Sequence, residues 1–174
     1  MKPRELAYCG LFGAAALLLP TIFHLTHLGS IFMPMYLPLV ALAFFVRPGP
    51  AALTSFVTPL LSGAVTGMPP FYPPVAPVMS VELALMAGLI GIVRTYFRRP
   101  NTVILLAVVL LSGRIVQAAL FYLTAQILHL PASFVAGVSF INGWPGILLM
   151  MVSIPALVRL QDHPNGSTGE PERS

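Results

Sequence analysis

The chain has 174 residues, 57 % of them hydrophobic and only 8 % charged, with a formal net charge of +4 and a mean hydropathy of +0.89. Soluble domains carry roughly a quarter charged residues, so composition excludes an ordinary soluble domain and indicates an integral membrane protein. The positive charge does not point to nucleic acid, because Lys and Arg are scattered over loop ends rather than clustered with aromatics, and the single cysteine, Cys9, excludes an intrachain disulfide.

Six apolar segments follow in order. The first runs from about Leu6 to Phe23 after the basic start MKPRE. The second, Ile31 to Val46, is short and holds Pro34 and Pro38. The third, Ala51 to Thr66, is interrupted by Pro59. The fourth, Val75 to Val93, contains Glu82. The fifth, Val103 to Leu128, contains Arg114, and the sixth, Phe134 to Val158, contains Asn142 and Pro145. A helix needs about 20 residues to cross the hydrocarbon core, so segments two and three are expected to be tilted, thin or partly broken.

Lys2 and Arg4, then Arg47, then Arg94, Arg98 and Arg99, then Arg159 occupy alternate connections. The intervening loops (24–30, 67–74 and 129–133) hold no Lys or Arg. The positive-inside rule therefore predicts an all-α bundle of six transmembrane helices over residues 1–160 with both termini cytoplasmic. No small-x-small cleavage site follows the first segment at signal-peptide distance, so it is expected to be retained. The tail from Asp162 to Ser174 is polar and rich in Pro and Gly, and is expected to be disordered. There is no phosphate-binding loop, nucleophile elbow or paired-carboxylate pattern, so neither ATP hydrolysis nor any other enzymatic activity is expected.

Between segments three and four the loop TGMPPFYPP is stiffened by Pro69, Pro70, Pro73 and Pro74. Each fixes φ and removes an N–H, which rules out both a continued helix and a flexible linker. Tyr72 at its apex is a candidate substrate contact.

Glu82 and Arg114 are the Asp, Glu, Lys or Arg residues set deep in apolar segments. A charge there costs several kcal/mol unless it faces protein or a water-filled cavity, which makes both functional candidates. At about 1.5 Å per residue, Glu82 lies about 10 Å and Arg114 about 20 Å below the outer helix ends. Two extended side chains nearly span that offset, so an internal Glu82–Arg114 ion pair stands beside substrate contact as an alternative. Helical spacing puts Gln117, Ala118, Phe121 and Ala125 on the Arg114 face. Asn142 comes level with Glu82 and opens the sequence NGWPG, in which Trp144 offers a stacking surface; for Asn142 an interhelical hydrogen bond is the alternative. His24 and His27 stand at the mouth, as substrate hydrogen-bond donors or as interfacial polar residues. No outward Asp or Cys accompanies them, so no metal site and no cofactor is expected. On the first segment Ala7, Gly10, Gly13 and Ala14 form a small-residue face that suits close approach of a helix, from this chain or another.

With these features together, the chain over about residues 4 to 160 resembles the substrate-binding S component of energy-coupling factor (ECF) vitamin transporters. The likeness rests on six helices, both termini inside, the small-residue first helix, the phrase HLGSIFMPMYLP running into a short second helix, and TGMPP before a Glu-bearing fourth helix. The resemblance implies a bacterial plasma-membrane subunit that captures a small water-soluble vitamin or precursor from outside. A separate transmembrane (T) component and two ATPase subunits would drive release by toppling the subunit in the bilayer. It also implies that Gly10 and Ala14, with Ala7, meet the T component; Gly10 departs from the alanine usual at the first motif position. Outer loops one and three would close over the ligand. A structural or assembly membrane protein with an internal Glu82–Arg114 pair and no cavity is the rival reading. An ion-coupled carrier using Glu82 is a third, opposed by the short chain without inverted repeats.

Overall fold

The computed structural model describes residues 2–25, 34–97, 100–129 and 144–162, and among these all regular structure is helical. Among the described residues there are six helices: α1 (Pro3–Leu25), α2 (Tyr36–Leu42), α3 (Pro48–Thr66), α4 (Val75–Tyr96), α5 (Thr102–Ile127) and α6 (Trp144–Asp162). Three of them, α1, α4 and α5, are long and apolar enough to cross a membrane. The described residues are thus all-helical, and their long apolar helices suit a membrane protein.

Sequence punctuation explains the helix ends. Pro48 opens α3 in the first turn, where its missing N–H would be unpaired anyway. Gly67 closes α3 with φ 73° and returns its N–H to the Gly63 carbonyl, a left-handed turn that glycine adopts without a Cβ clash. At the start of α5 the Asn101 side chain accepts from the Val103 and Ile104 amides at 3.0 and 3.4 Å.

Two elements differ from the segments expected. The second segment yields a helix of only seven residues, about 10 Å long, which is too short to cross a bilayer by itself. It is nevertheless the centre of the molecule, with Tyr36, Pro38, Leu39, Val40, Ala41 and Leu42 all buried. The third segment is not broken: α3 continues through Pro59, which is fully buried. Packing against neighbouring helices holds the helix path where the proline removes a backbone bond.

The most extensive packing joins α3 to α4, which run antiparallel across the proline loop. A Cβ at Gly63 would lie 2.7 Å from the Pro69 carbonyl oxygen, so the loop folds down onto the helix at the one residue type that leaves room. The Ser62 hydroxyl donates to the Met68 carbonyl at 2.6 Å and the Ala76 amide to the Pro70 carbonyl at 3.0 Å. The stiffness expected of the prolines is thereby joined to a hydrogen-bonded attachment. The loop is a fixed cap whose Met68, Phe71 and Tyr72 side chains are exposed.

At the opposite, basic end, Arg47 reaches α1 through two bonds to the Glu5 carboxylate, 2.7 and 2.8 Å. Arg94 donates to the Phe44 carbonyl and lies over the Phe44 ring, 5.3 Å from its centroid. Tyr8, Phe12 and Phe45 pack together between α1 and the turn after α2. The Arg47 side chain is 62 % exposed, and exposed pairs are screened by salt. An Arg47→Ala variant should therefore melt slightly below wild type at low salt, and the gap should close at high salt.

Helix α1 is peripheral: 11 % of its most apolar stretch is buried, against 50 % for α4. Its small-residue face splits in two. Gly13 turns inward, where a Cβ would meet Thr54 at 3.6 Å and Thr58 at 3.9 Å on α3. Ala7, Gly10 and Ala14 turn outward, and a Cβ at Gly10 would have no neighbour within 4 Å. A shallow groove of about 250 Å³ on this outer side is lined by Arg4, Ala7, Tyr8 and Leu11.

Candidate functional site: a buried polar relay

Three helices meet at one hydrogen-bonded chain. Tyr36 is the first residue of α2, Glu82 lies about two turns into α4, and Arg114 and Gln117 lie one turn apart on α5. Arg114 Nη1 donates to Gln117 Oε1 at 2.9 Å, Gln117 Nε2 donates to the Tyr36 hydroxyl at 3.3 Å, and that hydroxyl donates to Glu82 Oε2 at 2.6 Å. The direction of the bonds follows from the inventory of donors. A guanidinium only donates, so Gln117 turns its carbonyl toward Arg114 and its amide toward Tyr36, and the tyrosine O–H is left to the carboxylate.

Exposure rises along the relay. Glu82 is 1 % exposed, Tyr36 4 %, Gln117 9 %, and Arg114 is half-buried. The carboxylate is hidden and the guanidinium is the most exposed member of the four. Glu82 and Arg114 do not meet as the direct pair weighed from the sequence. Among the described residues the Arg/Lys–carboxylate contact within 4.0 Å is Arg47–Glu5, and the two charges set in the apolar helices α4 and α5 are joined through two neutral side chains. Tyr36 and Gln117 fill the gap between helix depths that helical rise indicates.

The α5 face is as the spacing predicts: Gln117, Phe121 and Ala125 are buried and Ala118 is half-buried. Tyr72 sits on the proline loop with its side chain 72 % exposed, and no bond joins it to the relay. His24 belongs to the last turn of α1 and Trp144 to the first turn of α6. The side chains of His24 and Trp144 lie outside the described residues, as do His27 and Asn142 altogether. Among the described residues no cluster of three His, Cys, Asp or Glu is spaced to hold a metal.

Tyr36 is the member that sequence reasoning missed. Its signal was present, since a tyrosine within an apolar segment buries its ring only if its hydroxyl finds a partner, and Glu82 was the nearest unexplained acid in an apolar helix. Neither the family models, nor the curated proteins, nor the solved structures compared with this chain include one that matches it.

Proposed function

We propose that this protein is a membrane-embedded solute-binding subunit, similar to an ECF S component, that captures a small nutrient from outside for uptake powered by separate T and ATPase subunits. The observation that carries the reading is the half-buried Arg114 at the end of a relay whose other members are buried. A guanidinium at mid-depth of an apolar helix is stable only toward water, protein or a ligand. In this reading the ligand lies against Arg114 and Gln117, with Glu82 fixing them from behind. In the same reading the Tyr72 loop stands over the mouth. A loop already stitched to α3 and α4 loses little entropy on closing.

The outward Ala7, Gly10 and Ala14, and the groove beside them, support the second half of the proposal, a helix-docking face for the T component. Small residues let a partner backbone approach closely.

Two measurements test the reading. Saturable thermal stabilisation of the purified protein by a member of a water-soluble vitamin and precursor panel is expected, and silence across the panel would favour a structural or assembly role. Ala14→Trp should abolish co-purification with the T component while leaving ligand stabilisation intact. Loss of both would show that the substitution damages the fold and that the docking face is wrongly assigned.

A further inference from the structure

We infer that the ligand of this site carries a single negative charge, a carboxylate received by the Arg114 guanidinium; this rests on the solute-binding reading above. The inference comes from the polarity of the relay. Every hydrogen bond in it runs from Arg114 toward Glu82, and exposure falls in the same direction. A structural ion pair would bury both charges against each other. Here the acid is withdrawn to 1 % exposure behind a tyrosine hydroxyl, and the cation is held forward on α5. The arrangement therefore offers an incoming molecule donors rather than acceptors. A guanidinium has five N–H groups in a planar fork, enough to keep protein partners and still take a carboxylate in its plane.

The charge count narrows the class further. Arg114 is the Lys or Arg that the sequence places within the fifth apolar segment, and the loops at that end of the bundle (24–30, 67–74 and 129–133) contain none. A phosphate dianion would bring two negative charges to this one cation, and a monocarboxylate brings one. A cationic amine would meet the guanidinium first and be repelled, because the acid that could receive it is enclosed by Tyr36.

The test uses matched probes that differ in the acidic group. The purified full-length protein is titrated by thermal shift and equilibrium binding with nicotinate against nicotinamide, 4-aminobenzoate against 4-aminobenzamide, and pantothenate against panthenol, alongside the wider vitamin panel. Expected is saturable binding of an acid at least about tenfold tighter than its neutral counterpart. Arg114→Gln should weaken that acid by about 30-fold or more, and Arg114→Lys, which keeps the charge, should recover part of the loss. The melting temperatures of the ligand-free variants separate loss of binding from loss of fold. Neutral or cationic probes binding as tightly as acids, with affinity unchanged in Arg114→Gln, would overturn the carboxylate assignment while leaving the solute-binding reading in place. Absence of binding across the whole panel in wild type would overturn both.

Discussion

Tyr36→Phe is expected to cost about 2–3 kcal/mol of stability although it removes a single oxygen. The substitution keeps the ring in its packed site on α2 but leaves a carboxylate that is 1 % exposed without its 2.6 Å donor, and the Gln117 amide without its acceptor. Removing the acid instead, with Glu82→Leu, takes away the acceptor of the tyrosine O–H and is expected to cost about 1–3 kcal/mol. The double variant should cost clearly less than the sum. Once both polar groups are gone, leucine and phenylalanine can pack against each other, and only the Gln117 amide is left without its acceptor. A coupling of about 1 kcal/mol or more in a double-mutant cycle, read from reversible denaturation in detergent, would establish the Tyr36–Glu82 bond as a stabilising contact. Strict additivity would show that the two groups do not depend on each other.

The second large effect concerns how close α3 and α4 lie. A Cβ at Gly91 would stand 2.7 Å from the Pro48 Cα and 2.8 Å from its Cβ. Those atoms belong to the first residue of α3, so relief requires moving backbone, and Gly91→Ala is expected to cost about 1–3 kcal/mol. Gly91→Leu should prevent the hairpin from closing and yield aggregated or unstable protein. Gly88, one turn earlier, is the internal control. Its Cβ would meet Ala52 at 3.9 Å, an ordinary contact, and Gly88→Ala should be neutral or stabilising by up to about 1 kcal/mol through helix propensity. Gly113→Ala falls between them, because the clash at 2.6 Å is with the sulfur of Met86, a side chain that can swing aside. Melting temperatures in the order Gly88→Ala, Gly113→Ala, Gly91→Ala from highest to lowest would confirm that interhelical distance, rather than glycine content, limits this region. Equal effects at the three positions would reject it.

Much of the fold was legible because its signals are local. Apolar runs, proline at Pro48, glycine at Gly67 and the four loop prolines after it mark where helices begin and end, through φ restriction and missing donors that act within a few residues. The depth of Glu82 and Arg114 follows from counting residues along a helix of known rise. The inward face of α5 through Gln117, Phe121 and Ala125 follows from its period.

The site was legible only in part. Depth and period show that an acid and a guanidinium occupy neighbouring levels, but not whether the two side chains meet. Whether they do depends on what lies between α4 and α5. That space is filled by Tyr36 on a seven-residue helix, 46 residues from Glu82 and 81 from Gln117 in sequence. The small-residue face of α1 shows the same limit. Gly10, Gly13 and Ala14 are equivalent as local sequence, and only the placement of α3 assigns Gly13 inward and leaves Gly10 and Ala14 on the outer surface.

By itself, then, the sequence determined the helical class, the apolar character, the loop chemistry and which charges must be accounted for. Each of these is set by composition or by interactions spanning a turn or less. Only the tertiary structure decided that Glu82 is enclosed, that Arg114 is half-buried, and that Tyr36 and Gln117 connect them. Those outcomes depend on the rotation and depth of packed helices, which are fixed by side-chain fit across long sequence separations.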